Sequence, residues 1–173
     1  MADEFEKLKP YISSINTLIN QSHVVLPKKT EIKLYHHHGV NYFVEVGATF
    51  VSVIQHDYCK FVVTMMPGQT YPLHYHRIKD ETFFILLGDL TVTIEDETFL
   101  LYKGDILNIP RRFMHSFSTK NGCVFEEIST AYLQNDSVYE DNIVSQIPKN
   151  ARVTMMPIEA LLCNDTEVCE KLC

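Results

Sequence analysis

The chain has 173 residues, 46% of them hydrophobic and 21% charged, a globular composition that excludes a disordered or collagen-like chain and points to one domain. Fifteen Lys and Arg against 22 Asp and Glu give a net charge of −7, which disfavours a nucleic-acid backbone or an anionic membrane as partner. No apolar run is long enough to span a membrane, and the opening MADEFEKLKP is acidic and lacks a signal-peptide core.

The five cysteines, Cys59, Cys123, Cys163, Cys169 and Cys173, are odd in number and form no CxxC pair. Neither a secreted disulfide framework nor a zinc ribbon fits them. The expected compartment is a reducing one, most simply the cytoplasm.

In chain order, residues 1–29 come first. Phe5, Leu8, Ile12, Ile15 and Ile19 repeat at three and four residues, one stripe of an amphipathic helix. Pro10 either splits this helix or opens its second piece. The stripe is too large to leave exposed, so it covers a face of the domain or joins a twofold homodimer.

From residue 30 to 135 the period changes to short β-rich runs. They are Phe43-Val46, Phe50-Gln55, Lys60-Met66, Thr82-Leu87, Leu90-Glu95, Phe99-Tyr102, Ile106-Ile109, His115-Ser118 and Cys123-Ser129. Pro67-Gly68, Gly88-Asp89, Lys103-Gly104-Asp105 and Asn121-Gly122 supply turns between them. Many short strands with no helices between them predict an all-β antiparallel barrel or sandwich. Residues 136–173 read as a polar extension, with a short helix over Pro157-Cys163 and then a tail.

Residues 68–88 read GQTYPLHYHRIKDETFFILLG. His74 and His76 are two apart, so on a strand they share a face. Glu81 opens the next run and returns to that face after a short turn. Two imidazoles and a carboxylate converging inside a barrel suit a divalent transition metal with open coordination positions. A second block, GDILNIPRRFMHSFST from Gly104, adds His115 as a candidate fourth ligand. The five identities Gly68, His74, His76, Glu81 and Gly88 would match by chance at roughly 10⁻⁶ to 10⁻⁷ per start position.

These two blocks resemble the two motifs of the cupin superfamily. The first matches fully. In the second, Gly104, Pro110 and His115 are in place, while Arg112 stands where the family usually has Gly and Thr119 where it often has Asn. The resemblance implies a small antiparallel double-stranded β-helix, or jelly-roll barrel. It also implies one metal held by His74, His76, Glu81 and His115, with manganese foremost and iron, nickel or zinc also suited.

Lys79, two residues before Glu81, and the stretch EEISTAYLQNDSVYED from Glu126 resemble the D-lyxose isomerase group of cupins. Residues 30–145 also resemble small cupins of surface-sugar pathways. The implied function is metal-dependent aldose–ketose isomerisation or a related carbohydrate modification, on a small-molecule sugar. A mononuclear non-haem iron dioxygenase and a non-catalytic sugar-binding cupin are the alternatives.

An isomerase must move a proton between adjacent carbons. Adjacent Glu126 and Glu127 face opposite sides of a strand, and period alone does not choose between them. The resemblance selects Glu127 as proton carrier, with Lys79 stabilising charge on oxygen. Lys79 in a polar turn is otherwise a solvated side chain. Arg112, Tyr71 and Phe83 are the candidate substrate contacts. Arg111 and Arg112 either bind an anionic group or belong to a solvated loop. His36 and His38 share a face in extended chain but make a weak metal pair.

Overall fold

The apolar stripe of the N-terminal segment forms one continuous helix, α1 (Ala2–Ser22). Pro10 lies inside it without splitting it. Pro10 and Glu6, whose carbonyl it leaves without an intrahelical donor, are both exposed, so water satisfies the gap. The computed structural model describes residues 2–130 and 135–162; Cys163, Cys169 and Cys173 lie outside the described residues. No helix among the described residues is long and apolar enough to cross a membrane.

Eleven strands follow: β1 (Glu31–His36), β2 (Gly47–Gln55), β3 (Cys59–Met65), β4 (Thr70–His76), β5 (Glu81–Ile94), β6 (Glu97–Tyr102), β7 (Ile106–Ile109), β8 (His115–Ser118), β9 (Cys123–Ser129), β10 (Ser137–Tyr139) and β11 (Val153–Pro157). Two short helices, α2 (Asn142–Gln146) and α3 (Ile158–Leu162), flank β11. The strands form one antiparallel sheet in the order β10-β4-β8-β5-β9-β3-β2-β1-β11, with β6 and β7 paired to β5. The sheet curls on itself. Phe50 of β2 and Tyr71 of β4, distant along this path, meet with ring centroids 5.9 Å apart. This is the antiparallel all-β barrel expected.

Three expectations change. Phe43-Val46 is not a strand: residues 43–45 are a turn after a short 3-10 segment, Val46 makes a single bridge to Thr70, and Phe43 instead fills the outer core. Gly88-Asp89 does not separate two strands. β5 runs through it for 14 residues and serves both halves of the barrel, pairing with β7 and β9 before the bend and with β6 and β8 after it. The region after residue 135 adds β10 to the β4 edge and β11 to the β1 edge. These strands are too short for an alternating pattern to announce them.

Two cores result. Inside the barrel lie Phe50, Phe61, Val63, Tyr71, Phe83, Phe117 and Phe125 with their neighbours. Outside it, Leu8, Ile15 and Ile19 of α1 pack over Ile32, Leu34, Val51, Val62 and Val124, joined by Ile158 and Leu161 of α3. The stripe is thus satisfied within one chain and does not by itself call for a second.

Gly88 makes the bend possible. Its φ is +80°, and a Cβ built there would lie 1.9 Å from the Gly122 carbonyl oxygen. Gly88→Ala combines a left-handed backbone cost with a clash against main chain that cannot swing away. It is expected to destabilise the fold by at least about 2 kcal/mol, read from urea unfolding.

Candidate metal centre and active site

β4 carries an extra residue relative to β8. Tyr71 pairs with Phe117 and His74 with His115, three residues on one strand against two on the other. The bulge holds Pro72, which has no N–H to donate to a ladder. Its effect is to aim Tyr71, His74 and His76 all at the barrel interior, although strict alternation would send Tyr71 outward. Glu81 at the start of β5 and His115 at the start of β8 face them.

His74, His76, Glu81 and His115 are all buried, and one ligand atom from each lies within 4.8 Å of the others. The donor set fits a cation. His74 Nδ1 lies 2.8 Å from the Pro72 carbonyl and His115 Nδ1 lies 3.0 Å from the Phe113 carbonyl. A carbonyl only accepts, so both rings hold their proton on Nδ1 and turn a bare Nε2 to the cluster. His76 Nδ1 lies 3.6 Å from Asp136 Oδ2 and 3.3 Å from Ser137 Oγ, which favour the same tautomer.

The inner nitrogens then meet Glu81 acceptor to acceptor, His76 Nε2 at 3.1 Å from Oε1 and His115 Nε2 at 3.2 Å from Oε2. His115 Nε2 has no hydrogen-bond partner of good geometry. Such an arrangement is costly without a positive charge between the lone pairs. Burial, with the neighbouring imidazoles, holds His74 well below the usual range, which keeps it neutral and ready to ligate.

Beside the cluster sits a buried charge triad. Lys79 Nζ lies 2.5 Å from Glu81 Oε1 and 2.9 Å from Glu127 Oε1. Burial pushes the Glu127 carboxyl up to about 7, against the pull of Lys79 and with the help of the Glu81 charge. For Lys79, burial disfavours the ammonium, but the carboxylates of Glu127 and Glu81 outweigh it and raise its pKa. Glu127 faces inward from β9. Glu126 faces out and pairs with Lys60 at 2.6 Å.

The cluster opens on a cavity of about 60 Å³ lined by Tyr71, His74, His76, Lys79, Glu81, Glu127, Asp136 and Tyr139, among others. Tyr71 is in this wall, stacked on Phe117 and hydrogen-bonded to Tyr139. Phe83 is not. It lies one inward position deeper than Glu81 on β5, fully buried against Phe117 and Phe125. Arg112 is also outside the wall. It is exposed with φ +70°, which explains why glycine suits this turn, and its backbone N–H donates to the His76 carbonyl at 2.7 Å. Arg111 grips Asp80 and so fastens the loop after β7 to the one before β5.

His36 and His38 join no metal cluster among the described residues. His36 bonds Thr154 and His38 bonds Asp141. Thr119 accepts from Gly122 N–H and closes the β8–β9 turn. Asp136 and Tyr139 are wall residues that sequence reasoning missed. The Asp136 carboxylate accepts from Ile78 N–H at 3.0 Å and Lys79 N–H at 3.2 Å while facing His76, so it fixes the loop that presents Lys79. The Asp-rich stretch after Glu127 was the available signal.

The sequence profile of the family described as "Cupin domain" matches residues 61–124, which carry all four residues of the cluster. The chain contains a cupin domain. This cupin is similar in structure to the L-ribose isomerase of Geodermatophilus obscurus, at a TM-score of 0.67 and 13% identity over 81% of this chain and 93% of that one. It is also similar to the L-ribose isomerase of Cellulomonas parahominis. The ligand-free form gives a TM-score of 0.65 and 13% identity over 85% and 95% of the two chains. The form with L-psicose gives 0.63 and 13% over 82% and 94%. At such identity the likeness shows a shared fold that extends beyond the cupin motifs. A search of curated proteins finds no match for this cupin.

Proposed function

We propose that this cupin is a metal-dependent isomerase that interconverts an aldose and a ketose. The observation that carries the reading is the buried Lys79–Glu127 pair placed beside, and not within, the four-residue cluster. Metal retention alone has no use for a second buried carboxylate with its own cation. Proton transfer at carbon does.

His74, His76, Glu81 and His115 would hold the metal, with manganese, iron, nickel or zinc all compatible with three imidazoles and one carboxylate. Bound there, a divalent ion would supply Lewis-acid polarisation of a carbonyl and its neighbouring hydroxyl. Glu127 takes the proton from the carbon beside the carbonyl and returns it to the former carbonyl carbon, while the hydroxyl proton on the first carbon passes to the former carbonyl oxygen. A positioned carboxylate can do both. Lys79 holds Glu127 Oε1 in place and has one N–H donor left for a substrate oxygen. Tyr71 and Tyr139 line one side of this cavity.

The test is a screen of aldoses and ketoses by proton NMR on metal-restored protein. Interconversion of one aldose–ketose pair is the expected result. No conversion with any metal, together with oxygen uptake by the iron form, would replace this reading with the dioxygenase.

A further inference from the structure

The inner cavity of about 60 Å³ has room for a handful of water-sized groups, so a sugar reacting at the cluster must extend outward. Next to it, sharing Tyr35, Ser137, Tyr139 and Lys149 as walls, lies a second volume of about 260 Å³. Its lining brings together Arg77, Lys149 and Arg152, and among the described residues no carboxylate lines it. Three cations gathered in one hollow are notable in a chain of net charge −7.

Arg152 is placed with care. Its guanidinium sits 4.9 Å from the Tyr139 ring centroid, and its backbone N–H and carbonyl are tied to Lys149 and His36. Yet Nε and Nη1 are buried with no hydrogen-bond acceptor among the described residues. His37, fully buried between Tyr71 and Tyr139, likewise has both ring nitrogens without a hydrogen-bond partner among the described residues. Burial first, then Arg152, pushes His37 down to about 3, so its ring is neutral and offers one N–H and one lone pair. Buried donors without acceptors cost stability unless a ligand completes them.

We propose that this outer volume is an oxyanion subsite, in which Arg152, with Arg77 and Lys149, takes the phosphate or carboxylate of a charged sugar whose reacting carbons lie at the cluster. The Tyr139 ring is 5.3 Å from the His74 ring and 4.9 Å from the Arg152 guanidinium. These two steps end to end bound the distance between the sites, which is the reach of a sugar chain with a terminal anionic group. The planar fork of Arg152 suits either oxyanion. The inference rests on the isomerase reading for which end of the sugar reacts, but not for the binding.

Calorimetry on the metal-loaded full chain tests it with three probes: an aldopentose, its 5-phosphate and the matching uronate, which keeps C1 as the aldehyde and carries its carboxylate at C5. At least one charged form is expected to bind ten- to a hundredfold more tightly than the neutral sugar. The stronger of the two identifies phosphate or carboxylate. Arg152→Gln should erase that preference, and Arg152→Lys should keep part of it, with neutral-sugar affinity and metal content unchanged. Equal binding of all three by the natural chain, or a preference that survives in a folded Arg152→Gln, overturns the subsite. Preference lost in Arg152→Gln with no sugar ever isomerised would support the subsite and sink the isomerase instead.

Discussion

Glu127→Gln is expected to cut turnover by about 10²–10⁴-fold, the usual worth of a positioned general base. The amide keeps the shape and the contact with Lys79 Nζ, now 2.9 Å from Glu127 Oε1, but cannot accept a proton from carbon. Metal content should not change, because Glu127 is outside the four-residue cluster, and substrate affinity should change little. Glu126→Gln is the control. That residue lies on the outer face of β9 and pairs with Lys60, a contact worth at most about 1 kcal/mol of stability and nothing in the cavity. Steady-state kinetics of the two variants side by side decide the matter. Equal losses would remove Glu127 from the reaction.

His76→Ala should abolish both metal retention and turnover. Losing a residue that merely orients a ligand costs about 10–100-fold in metal affinity, so losing a ligand outright should exceed that. The barrel should survive, since neither the inner nor the outer apolar core includes His76 and β4 keeps its backbone pairing with β8 and β10. Elemental analysis gives the metal and circular dichroism gives the fold. A folded variant that retains a full equivalent of metal would show that the ion sits elsewhere.

The residues of the metal cluster were legible because their signal is one of identity and spacing. Two histidines at a separation of two must share a strand face, and few sequences carry that pair before a glutamate by chance. The inward face of Glu127 needed the family resemblance, because Glu126 and Glu127 satisfy a strand equally well until Lys60 is seen to engage one of them. Tyr71 reaches the cavity only through the bulge at Pro72, which breaks the alternation that strand arguments rely on. Phe83 obeys the alternation but sits too deep, since periodicity gives the face and not the depth along the barrel.

The edges were the least legible. Asp136, His37 and Arg152 flank short strands that pair with partners far away in sequence, more than a hundred positions in the case of β1 with β11 and of His36 with Thr154. Nothing local marks such a meeting. The same is true of Gly88. It reads as a hairpin turn, and only the approach of Gly122 shows that it is a bend inside one long strand.

The most direct test of the account is an anomalous-scattering map from crystals of the metal-loaded protein. The account predicts one peak, about 2.0–2.3 Å from a nitrogen of each of His74, His76 and His115 and from a Glu81 oxygen, with Glu127 beside it but not bound to it. A map with no peak among these four side chains, or with Glu127 as a ligand in place of one of them, would contradict it.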